Sequence, residues 1–269
     1  MRKIEPLSLP DAKPAEGIGK LPHFRFVDPA TLLVDDDYQR GLTPKSLALV
    51  ERIVSQWNFR AFKPPVVVEV DGSLHVIDGQ HTAIAAATHP GIVEIPVMVV
   101  EAENAESRAD AFVRHNRDRI AVTAADIHFA MVAAKDDDAL TLEQVCGRAG
   151  INVLRYPPSQ GRYKVGDTHA ISTISTLISR RYAIGARRVL EVLVRSNRAP
   201  VAAPEIKAIE HLLFATEYAG EISEDDIVSI LIGEFDIGVK AKRFAAEHRL
   251  SYWRALASTI WMQRKRRRG

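Results

Sequence analysis

The clearest folding signal in this chain is a β-hairpin that leads directly into a helix. Two runs of strand-forming residues, 66–70 and 74–77, are joined by Asp71-Gly72, and an Asp-Gly pair between such runs predicts a tight hairpin turn. The second run passes through Gly79 into the alanine-rich residues 82–88, which predict a helix. A hairpin followed at once by a helix predicts a sheet with a helix packed against it.

Elements of the same kind flank this hairpin. Residues 24–27 and 92–100 predict short strands, and the helical spacing of apolar residues across 44–57 predicts an amphipathic helix. A helix is also predicted from Asn104 to about His115. The resulting order is strand, helix, hairpin, helix, strand, helix, which describes an α/β module of ordinary domain size.

The rest of the chain is predicted to be helical. Capping patterns mark helix starts at Thr123 with Asp126, at Thr141 with Gln144, and at Asp167. Further helices are predicted over residues 186–195, 204–218, 223–232 and 251–264. The 269 residues therefore predict an α+β fold, divided into a flexible arm over 1–20, the α/β module over 21–122, a helical region over 123–200 and a C-terminal helical domain with a basic tail over 201–269.

Composition excludes several classes of protein. The hydrophobic fraction of 46% and the charged fraction of 26% are typical of a soluble globular chain, and no apolar run approaches the ~20 residues that cross a bilayer, so no membrane partner is expected. The N-terminal residues lack the apolar core of a secretory signal. Cys146 is the only cysteine, which excludes an internal disulfide and suits the cytoplasm. The nine histidines include no closely spaced ligand pair, so no metal site is expected.

Charge is distributed in blocks. Residues 148–200 carry ten basic and two acidic side chains, and residues 240–269 carry ten and one. Residues 201–239 carry one basic and nine acidic side chains, and residues 1–147 are also acidic. Two basic segments in an otherwise acidic chain are expected to contact a polymer with a phosphate backbone. The alternative is a solvated surface with an incidental basic tail.

The turn after the hairpin is a candidate anion site. Residues 75–83 read His-Val-Ile-Asp-Gly-Gln-His-Thr-Ala, so a strand ends, a glycine makes the turn and a helix of small residues begins. Free N–H groups in the first turn of a helix attract anions, and Gly79 allows a phosphate to approach the backbone. In the alternative interpretation, Asp78 only caps the helix and His81 packs on the sheet.

Other motifs occur in a fixed order around this turn. Tyr38-Gln39-Arg40 precedes the first helix, Arg60 and Pro64-Pro65 precede the hairpin, and residues 112–119 close the module with Asn116 and Arg119. Over about residues 22–150 this order resembles the ParB/sulfiredoxin-like superfamily, in particular the ParB N-terminal-like domains whose turn reads DGQHR. The resemblance implies a sulfiredoxin-like fold with a nucleotide site, which in ParB takes cytidine triphosphate with magnesium.

The turn departs from the ParB pattern in ways that bear on the ligand. Gln80, His81 and Thr82 stand where ParB has a glutamate and two arginines, which removes positive charge beside the triphosphate. Gln80 also replaces the cysteine of sulfiredoxin, so sulfinic acid reduction is not expected. The resemblance implies a nucleoside triphosphate with Mg as the ligand, held by Arg40, Arg60, Asp78, Gly79, Gln80, His81, Thr82, Asn116 and Arg119.

An enzyme of the same fold is the alternative function, because the superfamily also includes small-molecule kinases with a DGHTR-type turn. Such an enzyme would be a magnesium-dependent phosphotransferase, a nucleotide hydrolase or a nuclease, with the helical half used for oligomerisation. Asp37 and His81 are its candidate catalytic residues, since residues 35–37 are aspartates and carboxylates hold magnesium in phosphoryl-transfer sites. A solvated acidic loop is the other interpretation of these aspartates.

Residues 142–151 look like the first helix and turn of a helix-turn-helix, which ParB proteins carry after the nucleotide domain. Cys146 supplies the small residue where two helices touch, and Gly150 supplies the positive φ of the turn. Pro157-Pro158 breaks any helix that follows directly. The recognition helix is therefore either very short or displaced beyond a basic loop, to a helix starting at Asp167.

The leading hypothesis is a ParB-like DNA-binding protein of partition or transcription-regulator type, plasmid or phage related and homodimeric. Protein-only assembly, RNA binding and the lack of a polymer partner are the alternatives. Four arginines are predicted to crowd a loop around Gly185, beside a duplex backbone, whereas Trp253, Leu256 and Ile260 are expected to form a core stripe. The predicted DNA contacts are Arg148, Arg155, Arg162, Lys164, Arg180, Arg181, Arg187, Arg188, Arg264, Lys265, Arg266, Arg267 and Arg268.

Overall fold

The computed structural model describes residues 3–35, 42–102, 105–117, 122–218, 220–234 and 236–264. The chain divides into two compact units, residues 1–120 and 121–269, each with a hydrophobic core of its own. The first unit mixes helices with a four-stranded sheet, and the second is almost entirely helical, so the predicted α+β fold class is confirmed. In the part of the chain with described coordinates, no helix is both long and apolar enough to cross a bilayer.

The first unit follows the predicted order of elements. The hairpin strands pair antiparallel, with Asp71 and Gly72 both at positive φ in the turn, and the helix follows after Gly79. The elements are β1 (His23–Val27), α1 (Pro44–Ser55), β2 (Val66–Val70), β3 (Ser73–Asp78), α2 (Gln80–Thr88), β4 (Ile95–Val100) and α3 (Ala105–Arg117).

The sheet of this unit has the strand order β1-β4-β2-β3, in which β2 and β4 are parallel and the outer pairs are antiparallel. Val67, Val76 and Ile95 are fully buried, and Ala83 and Ala86 of α2 belong to the same core. Ala83 and Ala86 pack α2 against this core, and Gly79 joins β3 directly to α2, so the N-terminus of α2 lies at the end of β3.

The second unit has one core to which helices on both sides of residue 200 contribute, including Ile174, Leu190, Ile206, Ile227 and Ile260. Its elements are α4 (Ala124–Ala133), α5 (Asp137–Ala149), β5 (Asn152–Val153), β6 (Asp167–Thr168), α6 (Ile171–Arg195), α7 (Ala203–Phe214), α8 (Glu224–Gly233), α9 (Ile237–His248) and α10 (Tyr252–Met262).

The capping patterns of this unit are only partly as predicted. Thr123 and Asp126 form a complete capping box at the start of α4, as predicted. The capping box at Thr141 is wrong, because the Asp136 carboxylate accepts a hydrogen bond from Ala139 N and α5 begins four residues before Thr141. The cap at Asp167 is also wrong, since this residue lies buried in β6 and the next helix begins at Ile171.

The predicted loop around Gly185 is wrong as well. The glycine lies inside α6, which runs from Ile171 to Arg195 with a kink at Tyr182. A Cβ atom at Gly185 would lie 3.2 Å from Phe214 Cζ, so the small residue serves helix packing rather than a turn. Helix α9 was not predicted, although Ile237 and Ala241 are buried at helical spacing.

Candidate functional site

The first candidate surface is the turn between β3 and α2. Gly79 is the N-cap of α2 with φ 90° and ψ 21°, and it has no side chain with which to cap the helix. A Cβ atom there would lie 3.0 Å from Pro65 Cα, so both the backbone conformation and the packing on Pro65, directly before β2, require glycine. Gly79 N donates a hydrogen bond of 2.9 Å to Asp78 Oδ1. Because the N-cap residue has no side chain, it leaves the space in front of the first turn of α2 open.

A cavity of about 360 Å³ lies against this turn. Asp78, Gly79 and Thr82 line it together with two groups that can carry positive charge, Lys63 and His115. Lys63 was missed by the sequence analysis. Its position directly before Pro64-Pro65 could have indicated this role, because Gly79 packs on the backbone of Pro65. The apolar side of the cavity consists of Phe24, Pro64, Val66 and Met98.

A second cavity, of about 240 Å³, shares Lys63 and Thr82 with the first. Its walls combine the aromatic rings of Trp57 and Phe62, whose centroids are 5.5 Å apart, with polar side chains. Trp57 Nε1 is buried and has no hydrogen-bond partner in the described part of the chain. The remaining lining residues are Arg52, Ile53, Gln56, Asn58 and Ala61.

The predicted nucleotide residues are only partly brought together. Asp78, Gly79 and Thr82 meet at the larger cavity, whereas the half-buried Gln80 and His81 do not line it within the described chain. Arg60 is exposed, and its backbone N–H donates to Asn58 Oδ1 in a turn after α1. The remaining predictions lie outside the described residues or side chains, namely Asp37, Arg40, Asn116 and Arg119.

The second candidate surface is the basic loop between β5 and β6. Each strand is only two residues long and Asn152 pairs with Asp167, so the two ends of the loop lie side by side. Asp167 is 4% exposed and accepts hydrogen bonds from Asn152 Nδ2 at 2.8 Å and from Lys164 N at 2.7 Å. These contacts fix the base of the loop, which exposes Arg162 and Lys164.

The ion pairs of the second unit divide the predicted DNA contacts into two groups. The first group is paired with carboxylates. On α6, Arg180 and Arg181 pair with Glu210, Arg187 with Glu191 and Arg188 with Glu224. Outside α6, Arg155 pairs with Asp126 and Arg264 with Glu221. Hydrogen bonds from Thr123 and then from Arg155 hold the pKa of Asp126 below its ordinary value. Within the described chain, Arg148, Arg162 and Lys164 have no carboxylate partner, and the tail Lys265, Arg266, Arg267 and Arg268 lies outside the described residues.

A helix and a glycine turn lie at the residues predicted to begin a helix-turn-helix, which itself stays a prediction. Gly150 ends α5 with φ 75°, and Ile151 N donates to Cys146 O at 2.9 Å. Cys146 is 1% exposed, and this burial raises the pKa of its thiol to about 12, which agrees with a packing role. The next α-helix in the chain is α6, which begins at Ile171 and not at Asp167, and its role as a recognition helix stays a prediction.

The described part of the chain contains no group of three or more His, Cys, Asp or Glu side chains that could hold a metal ion. No family model and no curated protein matches the sequence.

Two similar solved structures are of the C-terminally truncated chromosome-partitioning protein ParB from Caulobacter crescentus. The one complexed with CTP-gamma-S has 14% identity and a TM-score of 0.35, and covers 88% of this chain and 98% of that chain. The one complexed to the centromeric parS site has 13% identity and a TM-score of 0.27, and covers 87% and 98%. Similarities with TM-scores this low support no inference about function.

Proposed function

We propose that the chain is a ParB-like protein that binds duplex DNA through its helical unit and a nucleotide through its N-terminal unit. The observation that carries the DNA proposal is the unequal pairing of charges in the second unit. The acidic residues 201–239 neutralise arginines of α6 through internal ion pairs, whereas Arg162 and Lys164, on a loop with a fixed base, have no carboxylate partner among the described residues. Unpaired cations on a fixed support neutralise phosphates without first breaking an internal contact.

Nucleotide binding is supported by the two neighbouring cavities of the first unit. In the larger cavity, Lys63 and His115 flank the uncapped start of α2, which suits phosphate oxygens. The smaller cavity offers an aromatic wall of Trp57 and Phe62 with the polar side chains of Gln56 and Asn58, which suits a nucleoside.

A magnesium ion also fits the larger cavity. Asp78 is the carboxylate that lines it within the described chain, and one carboxylate with phosphate oxygens is a usual ligand set for Mg²⁺. When bound, the ion would neutralise phosphate charge beside Thr82 and Lys63. Partition or transcriptional regulation, a plasmid or phage context and a homodimeric state complete the proposal.

The DNA proposal is tested by measuring duplex affinity over a range of salt concentrations. For the unmodified protein, log affinity should fall linearly with log salt, with a slope of about −0.9 for each phosphate neutralised. The double variant Arg162→Ala, Lys164→Ala should flatten that slope by about two units. The matched variant Arg187→Ala, Arg188→Ala should change it less, because both arginines are held by Glu191 and Glu224. Equal affinity for heparin and for duplex DNA would contradict the proposal.

The nucleotide proposal is tested by thermal-shift measurements with the common nucleoside triphosphates and magnesium. We expect at least one of them to raise the melting temperature of the unmodified protein and of Lys45→Ala, an exposed lysine of α1. Lys63→Ala and Thr82→Val should lose that shift, since both side chains line both cavities. If no nucleotide stabilises the protein at millimolar concentration, the first unit does not bind nucleotides.

A further inference from the structure

Helices α5 and α6 are separated by more chain than a helix-turn-helix contains. Residues 150–170 lie between them, whereas the turn of that motif has three or four residues. Most of this segment is the basic loop between β5 and β6. Residues 151–166 include three basic side chains and no carboxylate. The basic loop is therefore a separate cationic element, and its shape limits the partners that it fits.

The base of the basic loop is tied to the surrounding helices. Gly166 has φ 87°, and a Cβ atom there would overlap Gly150 O at the end of α5. Gly166 N also donates a hydrogen bond of 3.0 Å to Arg198 O, in the segment that follows α6. At the start of the loop, Arg155 Nε donates to Asp126 Oδ1 of α4 at 2.9 Å. These contacts hold the loop in one orientation relative to the helices of the second unit.

The tip of the basic loop has a backbone that is fixed before any partner binds. Pro157 and Pro158 restrict the chain that enters the tip, and Gly161 N donates a hydrogen bond of 3.0 Å to Pro158 O. Gln160 and Gly161 then turn the chain with φ 58° and φ 66°. A single turn of backbone thus forms a narrow tip, and Arg162 follows it directly. Because the tip is already ordered, little conformational entropy is lost when it binds.

The two cations without a described carboxylate partner stand at different places on the loop. Lys164 belongs to the base, because its backbone N–H donates a hydrogen bond of 2.7 Å to the buried Asp167. Arg162 belongs to the tip and is exposed. The ring of Tyr163, between them, meets the ring of His169 edge to face at 5.9 Å. One cation is therefore placed to enter a groove and the other to stay at its edge.

We propose that the basic loop enters the minor groove of A·T-rich duplex DNA, with Arg162 inside the groove and Lys164 on a phosphate at its edge. The inference rests on the proposed DNA binding and assigns a groove and a base composition to the loop. A minor groove, about 6 Å wide, is too narrow for a helix but admits an extended arm that carries arginine.

The chemistry of the tip favours A·T pairs. A·T tracts narrow the minor groove and deepen its negative potential, which attracts an inserted arginine. G·C pairs add the guanine N2 amino group, a donor that faces the donors of Arg162. Tyr156 is 66% exposed beside the tip and offers an apolar surface to the sugars that wall the groove.

The test compares the affinity of the full chain for three duplexes of equal length that are built from A·T, I·C or G·C pairs. Inosine is guanine without the N2 amino group, so an I·C pair has the minor groove of A·T and the major groove of G·C. We expect the A·T and I·C duplexes to bind alike, and both to bind roughly 5- to 100-fold more tightly than the G·C duplex. Netropsin, which occupies A·T minor grooves, should displace the protein from the A·T duplex.

Three variants separate the two cations. Arg162→Ala should bring the three affinities close together, whereas Lys164→Ala should weaken all three alike and flatten the salt slope by about one unit. Arg162→Lys should keep the salt slope but lose part of the preference, because an ammonium group holds its water more strongly than a guanidinium group. Arg187→Ala, at an arginine of α6 paired with Glu191, is the control and should keep the preference.

Each outcome separates this inference from the broader proposal. If the I·C duplex binds like G·C, or if Arg162→Ala keeps the preference, minor-groove reading by the loop is overturned and duplex binding stands. Tighter binding of duplex RNA than of A·T DNA would also overturn it, because the minor groove of RNA is wide and shallow. If the unmodified protein binds no duplex, both proposals fail. The variants should melt with the unmodified protein, since both loop cations are exposed.

Discussion

Arg181 Nε donates a hydrogen bond of 2.9 Å to Glu210 Oε1 and thereby joins α6 to α7. The same guanidinium lies 4.8 Å from the centroid of the Phe214 ring, which covers it on one face. Glu210 keeps only 10% of its side chain exposed. The pair therefore acts as a helix–helix contact within the second unit, and its charge is largely neutralised before any partner arrives.

We expect Glu210→Gln to lower the free energy of unfolding by about 1–3 kcal/mol, a value between those for exposed and fully buried ion pairs. The matched variant is Glu191→Gln. Glu191 pairs with Arg187 and is more exposed than Glu210, so its loss should lower the free energy of unfolding by about 0.5 kcal/mol or less. Urea denaturation of both variants measures the difference. Equal losses would mean that the contact between α6 and α7 adds nothing beyond a surface pair.

Gly79→Ala should destabilise the first unit by about 1–3 kcal/mol, because alanine is strained at φ 90° and its Cβ would press on Pro65. Gly147→Ala in α5 is the control, since a Cβ there meets nothing within 4 Å. That variant should gain about 0.5–1 kcal/mol from helix propensity. Chemical denaturation followed by far-UV circular dichroism gives both values. A neutral Gly79→Ala would mean that the turn relaxes at no cost.

Asp167→Ala should loosen the basic loop without unfolding the unit. Two donors, Asn152 Nδ2 and Lys164 N, lose their acceptor, which costs about 2–4 kcal/mol. Trypsin should then cleave faster after Arg162 and Lys164, as sequencing of the fragments would show. Asp225→Ala, at an exposed aspartate, is the control and should leave cleavage unchanged. Unaltered proteolysis in Asp167→Ala would show that the strand pairing alone holds the loop.

Cys146 should resist thiol reagents in the folded protein and react only after unfolding in urea. Burial raises the pKa of its thiol to about 12, whereas the pKa of an unfolded cysteine is about 8.5. Between these values the unfolded state loses the proton and the folded state keeps it, so the free energy of unfolding falls as pH rises, by up to about 1.4 kcal/mol per pH unit.

The corresponding variant is Cys146→Ala, which lacks the titrating thiol. Measured from pH 8 upward, the stability of the unmodified protein should approach that of this variant, because only the former carries the thiol-linked loss. A constant difference in stability across that range would contradict the assignment, as would rapid labelling of Cys146 under native conditions.

The sequence was sufficient for features that neighbouring residues determine. The hairpin at Asp71-Gly72, the glycine turn before α2 and the capping box at Thr123 all follow from conformational preferences that act within a few residues. The loop predicted at Gly185 was wrong because a glycine inside a helix resembles a helix breaker unless its packing neighbour, here Phe214, is known.

Long-range pairing could not be predicted in the same way. The block pattern of charge predicted that the basic residues 148–200 and the acidic residues 201–239 form independent surfaces. In the structure the two blocks form ion pairs between helices, such as Arg188 of α6 with Glu224 of α8. Lys63 was overlooked for a similar reason, because its place at the cavity depends on the packing of Pro65 against Gly79.

The short pairing of β5 with β6 has an evolutionary consequence. Because Asn152 pairs with Asp167, the two ends of the basic loop lie side by side, and residues between them can be replaced or inserted at little cost to the core. Relatives of this chain are therefore free to vary the length and charge of the loop while the helices stay the same. Protein engineers have the same freedom, and a loop grafted at this position would inherit a rigid base.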